Sequence, residues 1–203
     1  MRSLTILSAL FVFLFFQAFT GNKNLIVTSG AFTNNGPIPV KYTCLGQEIN
    51  PPLSITNIPP EAKSLAIIVD DPDAKVTVTK PIPGKTTKTK KGSHKKATKP
   101  PAMESVQVDS CFTHWVVWNI DVDGGNIPEG FRNPDEGLNG MKQPGYKGMC
   151  PPSGLHHYHF KVYALDTKLN ISKTSSKAEL EKVMQGHIIS WGELVGVFDK
   201  LYK

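Results

Sequence analysis

The stretch Leu155-His156-His157-Tyr158-His159-Phe160-Lys161-Val162-Tyr163-Ala164-Leu165-Asp166 sets three histidines ahead of an alternating run. Tyr158, Phe160, Val162 and Ala164 recur with period two, which predicts a β-strand with one buried face. His156 has the parity of that buried face. His157 and His159 share the opposite face with Lys161 and are expected to be half-exposed bystanders.

Two other strands repeat the pattern of an apolar stripe that ends in a protonatable group. Leu65, Ile67 and Val69 lead by parity to Asp71, and Val116, Trp118 and Ile120 lead back to His114. Strands are predicted over 25–29, 64–70, 113–121 and 157–165, separated by joints rich in Pro and Gly. Such short strands and frequent turns predict a mainly β protein, an antiparallel sandwich with few helices. One helix is signalled near the C-terminus. Ser176 and Glu179 have capping-box spacing, and Leu180, Val183, Met184 and Ile188 follow at helical intervals.

If the three strand ends converge, they frame a shallow pocket with an apolar floor and a rim of Asp71, His114, His156 and Tyr158. Imidazoles and a phenol donate hydrogen bonds, and a carboxylate fixes the tautomer of a neighbouring histidine. This residue set suits a small oxyanion such as phosphate or a carboxylate. A two-His-one-carboxylate metal site uses the same residue types, but no tight ligand spacing speaks for one. Hydrolase chemistry lacks a visible nucleophile, because Cys111 lies an odd number of residues from His114 and faces the other way on a continuous strand.

The first twenty residues read as a secretory signal peptide. Arg2 precedes an apolar run from Leu4 to Phe16, and Ala18 and Thr20 offer a small-x-small cleavage pattern. That run is shorter than the ~20 residues that span a bilayer, so a secreted or periplasmic protein is expected. Residues 21–203 then form a single domain with enough apolar content for a sizeable core. An oxidising compartment allows its three cysteines one disulfide and one free thiol. Asn170-Ile171-Ser172 is a glycosylation sequon, usable in a eukaryotic secretory pathway.

The net charge of +6 is local. Nine of the 23 basic residues are lysines between Lys75 and Lys99, a segment without an acid; the remainder carries 14 basic against 17 acidic residues. This excludes a generally basic, nucleic-acid-type surface. Residues 75–110 are expected to form a disordered surface insertion, either a spacer or a polycation that meets an acidic surface.

The blocks Asp70-Asp71-Pro72-Asp73-Ala74, His114-Trp115-Val116-Val117-Trp118-Asn119, Cys150-Pro151-Pro152-Ser153-Gly154-Leu155-His156 and Phe160-Lys161-Val162-Tyr163-Ala164-Leu165-Asp166 resemble the phosphatidylethanolamine-binding proteins. Tyr42-Thr43-Cys44, Asn50-Pro51-Pro52-Leu53 and Glu193-Leu194-Val195-Gly196 resemble the prokaryotic-type, Raf kinase inhibitor-like branch. The resemblance implies a Greek-key sandwich. It also implies a non-enzymatic pocket for phosphate or phosphoryl-ethanolamine head groups, with no cofactor and no metal. The implied ligand-binding residues are Asp71, His114, Pro151, Pro152, His156 and Tyr158, with Gly154 allowing a close approach of the loop. The implied disulfide joins Cys44 to Cys150 and leaves Cys111 free. The alternative that the resemblance leaves open is an exported regulator or inhibitor of a protein partner, such as a protease or signalling enzyme. Lys75 stands where the family usually has Pro, and the long segment after it departs from the family's short connection.

Overall fold

The computed structural model describes residues 22–81, 103–109 and 111–200. The segment read as a signal peptide and the middle of the lysine-rich insertion lie outside them. The strands are β1 (Asn22–Lys23), β2 (Ile26–Thr28), β3 (Gly36–Pro37), β4 (Leu53–Thr56), β5 (Ser64–Asp71), β6 (Lys75–Pro81), β7 (Met103–Asp109), β8 (Phe112–Ile120), β9 (Asn126–Ile127), β10 (Leu155–Leu165) and β11 (Ile188–Asp199). One α-helix, α1 (Lys177–Met184), precedes the last strand. The protein is mainly β, as its alternating stretches predict.

The main sheet runs β1-β11-β10-β5-β8, with β3 also paired to β11. A smaller sheet runs β2-β4-β9. Apolar residues of both sheets meet in one core: Leu65, Ile67, Val69, Phe160, Val162 and Ala164 from the large sheet join Val27, Leu53, Ile55 and Ile127 from the small one. The other face of the main sheet is covered by α1, where Leu180 and Met184 pack with Ala66, Ile68, Val116, Trp118 and Leu165. β5 is therefore buried on both faces, which explains why Ser64-Leu-Ala-Ile-Ile-Val-Asp-Asp71 is nearly continuous in apolar residues. The expected capping box opens α1: Ser176 Oγ accepts the Glu179 N–H, and Glu179 accepts the Ser176 N–H at 2.7 Å. Ile188 belongs to β11 and not to the helical stripe, because the chain turns at Gly186 with φ +81°.

Sequence parity misplaced part of β8. Val116 and Trp118 face α1, whereas His114, Trp115, Val117 and Ile120 face the inner core or the pocket beside it. Two bulges cause this. Val69 pairs with Trp115 but Asp70 pairs with Thr113, so His114 is an extra residue that shares the side of Trp115. A second shift lies between Leu65/Ile120 and Ile67/Val117, beside Asn119 at φ +55°. The side chain of Asn119 is held there by Leu169 and Asp135, a conformation Asn tolerates better than most residues.

The ends of the insertion also differ from expectation. Lys75–Pro81 and Met103–Asp109 form an antiparallel hairpin ladder in register from Lys75↔Asp109 to Pro81↔Met103. The alternating Lys-Val-Thr-Val-Thr and Ser-Val-Gln-Val runs are strand patterns that the lysine-rich composition between them obscures.

Candidate functional site

At the shared ends of β5, β8 and β10, the loop from Met141 to Pro152 closes a cavity of about 250 Å³. Asp71, His114, Pro151, Pro152 and His156 line it, so five of the six residues expected for a ligand lie around one space. Tyr158 sits directly behind them. It is fully buried, with its ring 5.3 Å from that of His114 in edge contact and 6.4 Å from that of His156 in a stacked arrangement.

Asp71 and His156 form a buried pair, with Nδ1 2.7 Å from Oδ2. A carboxylate only accepts, so Nδ1 carries the proton and Nε2 is the ring nitrogen left for a ligand. The other oxygen of Asp71 accepts the Asp73 N–H at 2.9 Å, which fixes the turn after β5. His157 in turn holds Asp73 through its backbone N–H and Nδ1, both at 2.8 Å. This supposed bystander therefore secures the loop beside the pocket. His159 pairs with Glu193 on the outer face, away from the site.

The bulge brings His114 Nδ1 to 2.7 Å from the backbone carbonyl of Lys147. Burial holds its imidazole below the ordinary value of 6.5, against the upward pull of the Lys147 carbonyl and of Asp71 and Asp70. His114 is thus neutral at pH 7, protonated on Nδ1 and with a lone pair on Nε2. Both Nδ1 atoms are committed to protein acceptors.

Beyond the two imidazoles, the walls are mostly apolar. Phe112 packs edge-on to His114 with centroids 4.8 Å apart, and Ala74, Met141 and the two prolines complete the wall. The prolines offer carbon and no N–H. Cys150 is bonded to Cys44, which ties the Pro151-Pro152 wall to the turn following Tyr42. Gly154 serves through φ +76° and not through close approach, since a Cβ there would meet no atom within 4 Å.

The sequence pattern of the phosphatidylethanolamine-binding proteins matches residues 28–199. The chain belongs to this family. A UPF0098 protein of Pyrococcus horikoshii is 41% identical over 189 residues, spanning 88% of this chain and 78% of its own. A UPF0098 protein of Chlamydia trachomatis is 38% identical over 175 residues, spanning 86% of this chain and 98% of its own. Among solved structures, a phosphatidylethanolamine-binding protein homolog of Chlamydia trachomatis superposes with TM-score 0.68 at 35% identity, covering 88% of this chain and 99% of its own. E. coli YbcL superposes with TM-score 0.65 at 25% identity, covering 86% and 98% respectively.

Within this member of the phosphatidylethanolamine-binding protein family, five further lining residues escaped sequence reading: Ala74, Phe112, Met141, Lys147 and Gly148. Ala74 and Phe112 flank the insertion, and strand spacing could have flagged Phe112 two positions before His114. Lys147 carries no such signal. Its carbonyl orients His114 while its ammonium binds both oxygens of Glu48 at 2.7 and 3.0 Å.

Proposed function

We propose that the pocket binds a small oxyanion, a phosphate or phosphoryl-ethanolamine-type head group, and releases it unchanged. The observation that carries this reading is the Tyr158 hydroxyl, which is buried with no hydrogen-bond partner among the described residues. An unmade hydrogen bond of this kind costs about 1–3 kcal/mol, and an anion oxygen between the two imidazoles would supply its acceptor. Burial, with Asp71 and Asp73 adding to it, pushes the phenol well above its ordinary value, so it remains a neutral donor. His114 Nε2 becomes a second donor once that ring takes a proton.

Family membership supports binding over turnover, and the local chemistry agrees. Cys150 at the pocket is locked in the disulfide, and Cys111 lies by Lys177, 3.7 Å away, on the Asp70 side of the sheet. Burial and then Asp70 push the Cys111 thiol up, away from the nucleophilic thiolate. Titration calorimetry with phosphorylethanolamine and with inorganic phosphate tests the reading. The parent should bind, and His156→Ala should lose the heat while its circular dichroism stays native. Equal binding by both proteins would overturn it.

A further inference from the structure

A second cavity lies at the opposite end of the main sheet from the oxyanion pocket. β8 and β10 begin at that pocket, whereas Asp121, which follows the end of β8, and Lys168, just past the end of β10, line the second cavity. A nine-residue strand such as β8 separates its two ends by roughly 25 Å, so the two spaces are distinct. The second has a volume of about 480 Å³, within the range of small-molecule sites. Its walls are fixed from inside the protein. Asn119, beside the second bulge, binds the Leu169 backbone through both ends of its amide, at 2.7 and 2.9 Å. Asp135 is held three ways: Oδ2 accepts from Asn119 at 2.9 Å, its carbonyl accepts the Trp118 N–H at 3.0 Å, and its own N–H donates to Asn133 Oδ1 at 2.9 Å. Asp135 Oδ1 is left with no partner among the described residues. Arg132 and Asp123, also in the wall, form no ion pair with any described residue.

We infer that this cavity is a saccharide site, one that takes a neutral pyranose unit. A carboxylate only accepts hydrogen bonds and a guanidinium only donates them, and both kinds line this one space: acceptors on Asp123 and Asp135, donors on Arg132 and the Asn133 amide. A sugar hydroxyl does both, so neighbouring hydroxyls satisfy the two kinds together. A simple anion would meet the carboxylates of Asp121, Asp123 and Asp135, and a simple cation would meet Arg132 and Lys168. Lys168 and Asp121 already pair with each other at 3.3 Å, so no strong field of either sign is left to select an ion. An apolar patch completes the wall. Phe131 is half-buried and packs edge-on against Trp115 with centroids 6.5 Å apart, and Pro134 lies in the same wall. These two give carbon for the C–H groups of a sugar ring, whose slight positive charge suits the negative face of an aromatic ring. The site is independent of the oxyanion pocket and stands or falls without it.

Nuclear magnetic resonance of the isotope-labelled protein tests the site. Amide spectra are recorded for the parent and for D123A/R132A with D-glucose, D-galactose, D-mannose and N-acetylglucosamine, and then with glycine and with inorganic phosphate. Both substituted side chains lack ion-pair partners among the described residues, so the variant should keep the fold, and its own spectrum shows whether it does. Arg132→Ala alone, tested the same way, carries the comparison if the double variant loses its fold. At least one sugar should shift the parent's amides at residues 119–126, 131–135 and 168, saturating at millimolar concentration, and the variant should bind that sugar at least about tenfold more weakly. Glycine and phosphate should leave those amides in place. No response to any of the sugars overturns the site, and so does an equal response in the variant. A response at the same amides to glycine or phosphate in place of the sugars overturns the saccharide assignment in favour of a charged ligand.

Discussion

Asp70 and Asp71 are consecutive residues that anchor opposite faces of one sheet. The Asp70 carboxylate, fully buried, accepts from Lys177 at 2.6 Å and Lys161 at 3.4 Å on the side of α1. Asp71 accepts from His156 at 2.7 Å on the side of the pocket. The strand end that bears the site is therefore held from its opposite face by Lys177, the first residue of α1.

This division predicts separable effects. Asp70→Ala leaves Lys161 and Lys177 without their shared carboxylate and should cost about 3 kcal/mol of stability, with oxyanion affinity in the folded protein nearly unchanged. Asp71→Asn removes the negative charge beside His156 and leaves one acceptor oxygen for the two bonds Asp71 accepts, from the Asp73 N–H and His156 Nδ1, and should weaken phosphorylethanolamine binding by about tenfold or more. Chemical denaturation and calorimetry on the two variants separate the outcomes.

Binding should depend on pH through His114. Burial holds its imidazole below the ordinary value, and an anion at Nε2 favours the charged form, so binding takes up a proton. Affinity is then greatest below the lowered value, where His114 is already charged, and falls as pH rises through neutrality. Calorimetry in buffers of different ionisation heat should show proton uptake by the parent that His114→Gln lacks. In the absence of ligand the same depression acts on stability. A group whose folded value lies below its unfolded one loses its contribution as pH falls below about 6.5, because unfolded His114 binds the proton more readily.

The Cys44–Cys150 bond closes a loop with a sequence separation of 106 residues. Loop-closure entropy assigns such a crosslink roughly 4–5 kcal/mol. The double variant C44S/C150S should unfold at correspondingly lower denaturant. It should also bind ligand more weakly in the folded state, since the Pro151-Pro152 wall loses its tether.

The lysine-rich segment is proposed to add electrostatic recruitment to anionic surfaces. Deleting residues 82–102 should reduce association with anionic vesicles at low salt and matter much less at physiological salt, where exposed charges are screened over roughly 8 Å. Soluble-ligand affinity should not change.

Much of this arrangement is legible in the sequence, for reasons particular to each element. β5 and β10 pair in unbroken register from His159↔Asp70 to Leu165↔Ser64, so counting alternate residues along each strand is enough to assign Asp71, His156 and Tyr158 to one face. His114 was placed on the right side for an incomplete reason: parity grouped it with Val116 and Trp118, and only the bulge beside Val69 turns it inward. β11, the longest strand among the described residues, carries no clear sequence signal, because Ser190, Gly192 and Gly196 occupy buried positions where an apolar residue would mark the alternation. Gly192 and Gly196 are small because Leu25 in one case, and Ile38 with Phe32 in the other, press against the strand there. The role of the Lys147 carbonyl leaves no trace in a side-chain pattern, since any residue can supply a backbone acceptor. The pairing of Cys44 with Cys150 came from family resemblance; three cysteines alone permit three pairings.

The central claim is that the Tyr158 hydroxyl waits for an oxyanion, and Tyr158→Phe tests it most directly. The substitution removes a buried donor that has no hydrogen-bond partner among the described residues. The ligand-free protein should therefore keep its stability or gain up to about 2 kcal/mol, while phosphorylethanolamine affinity falls by about tenfold. A variant that is destabilised and binds as tightly as the parent would show that the hydroxyl serves the fold and not the ligand, and would contradict the account.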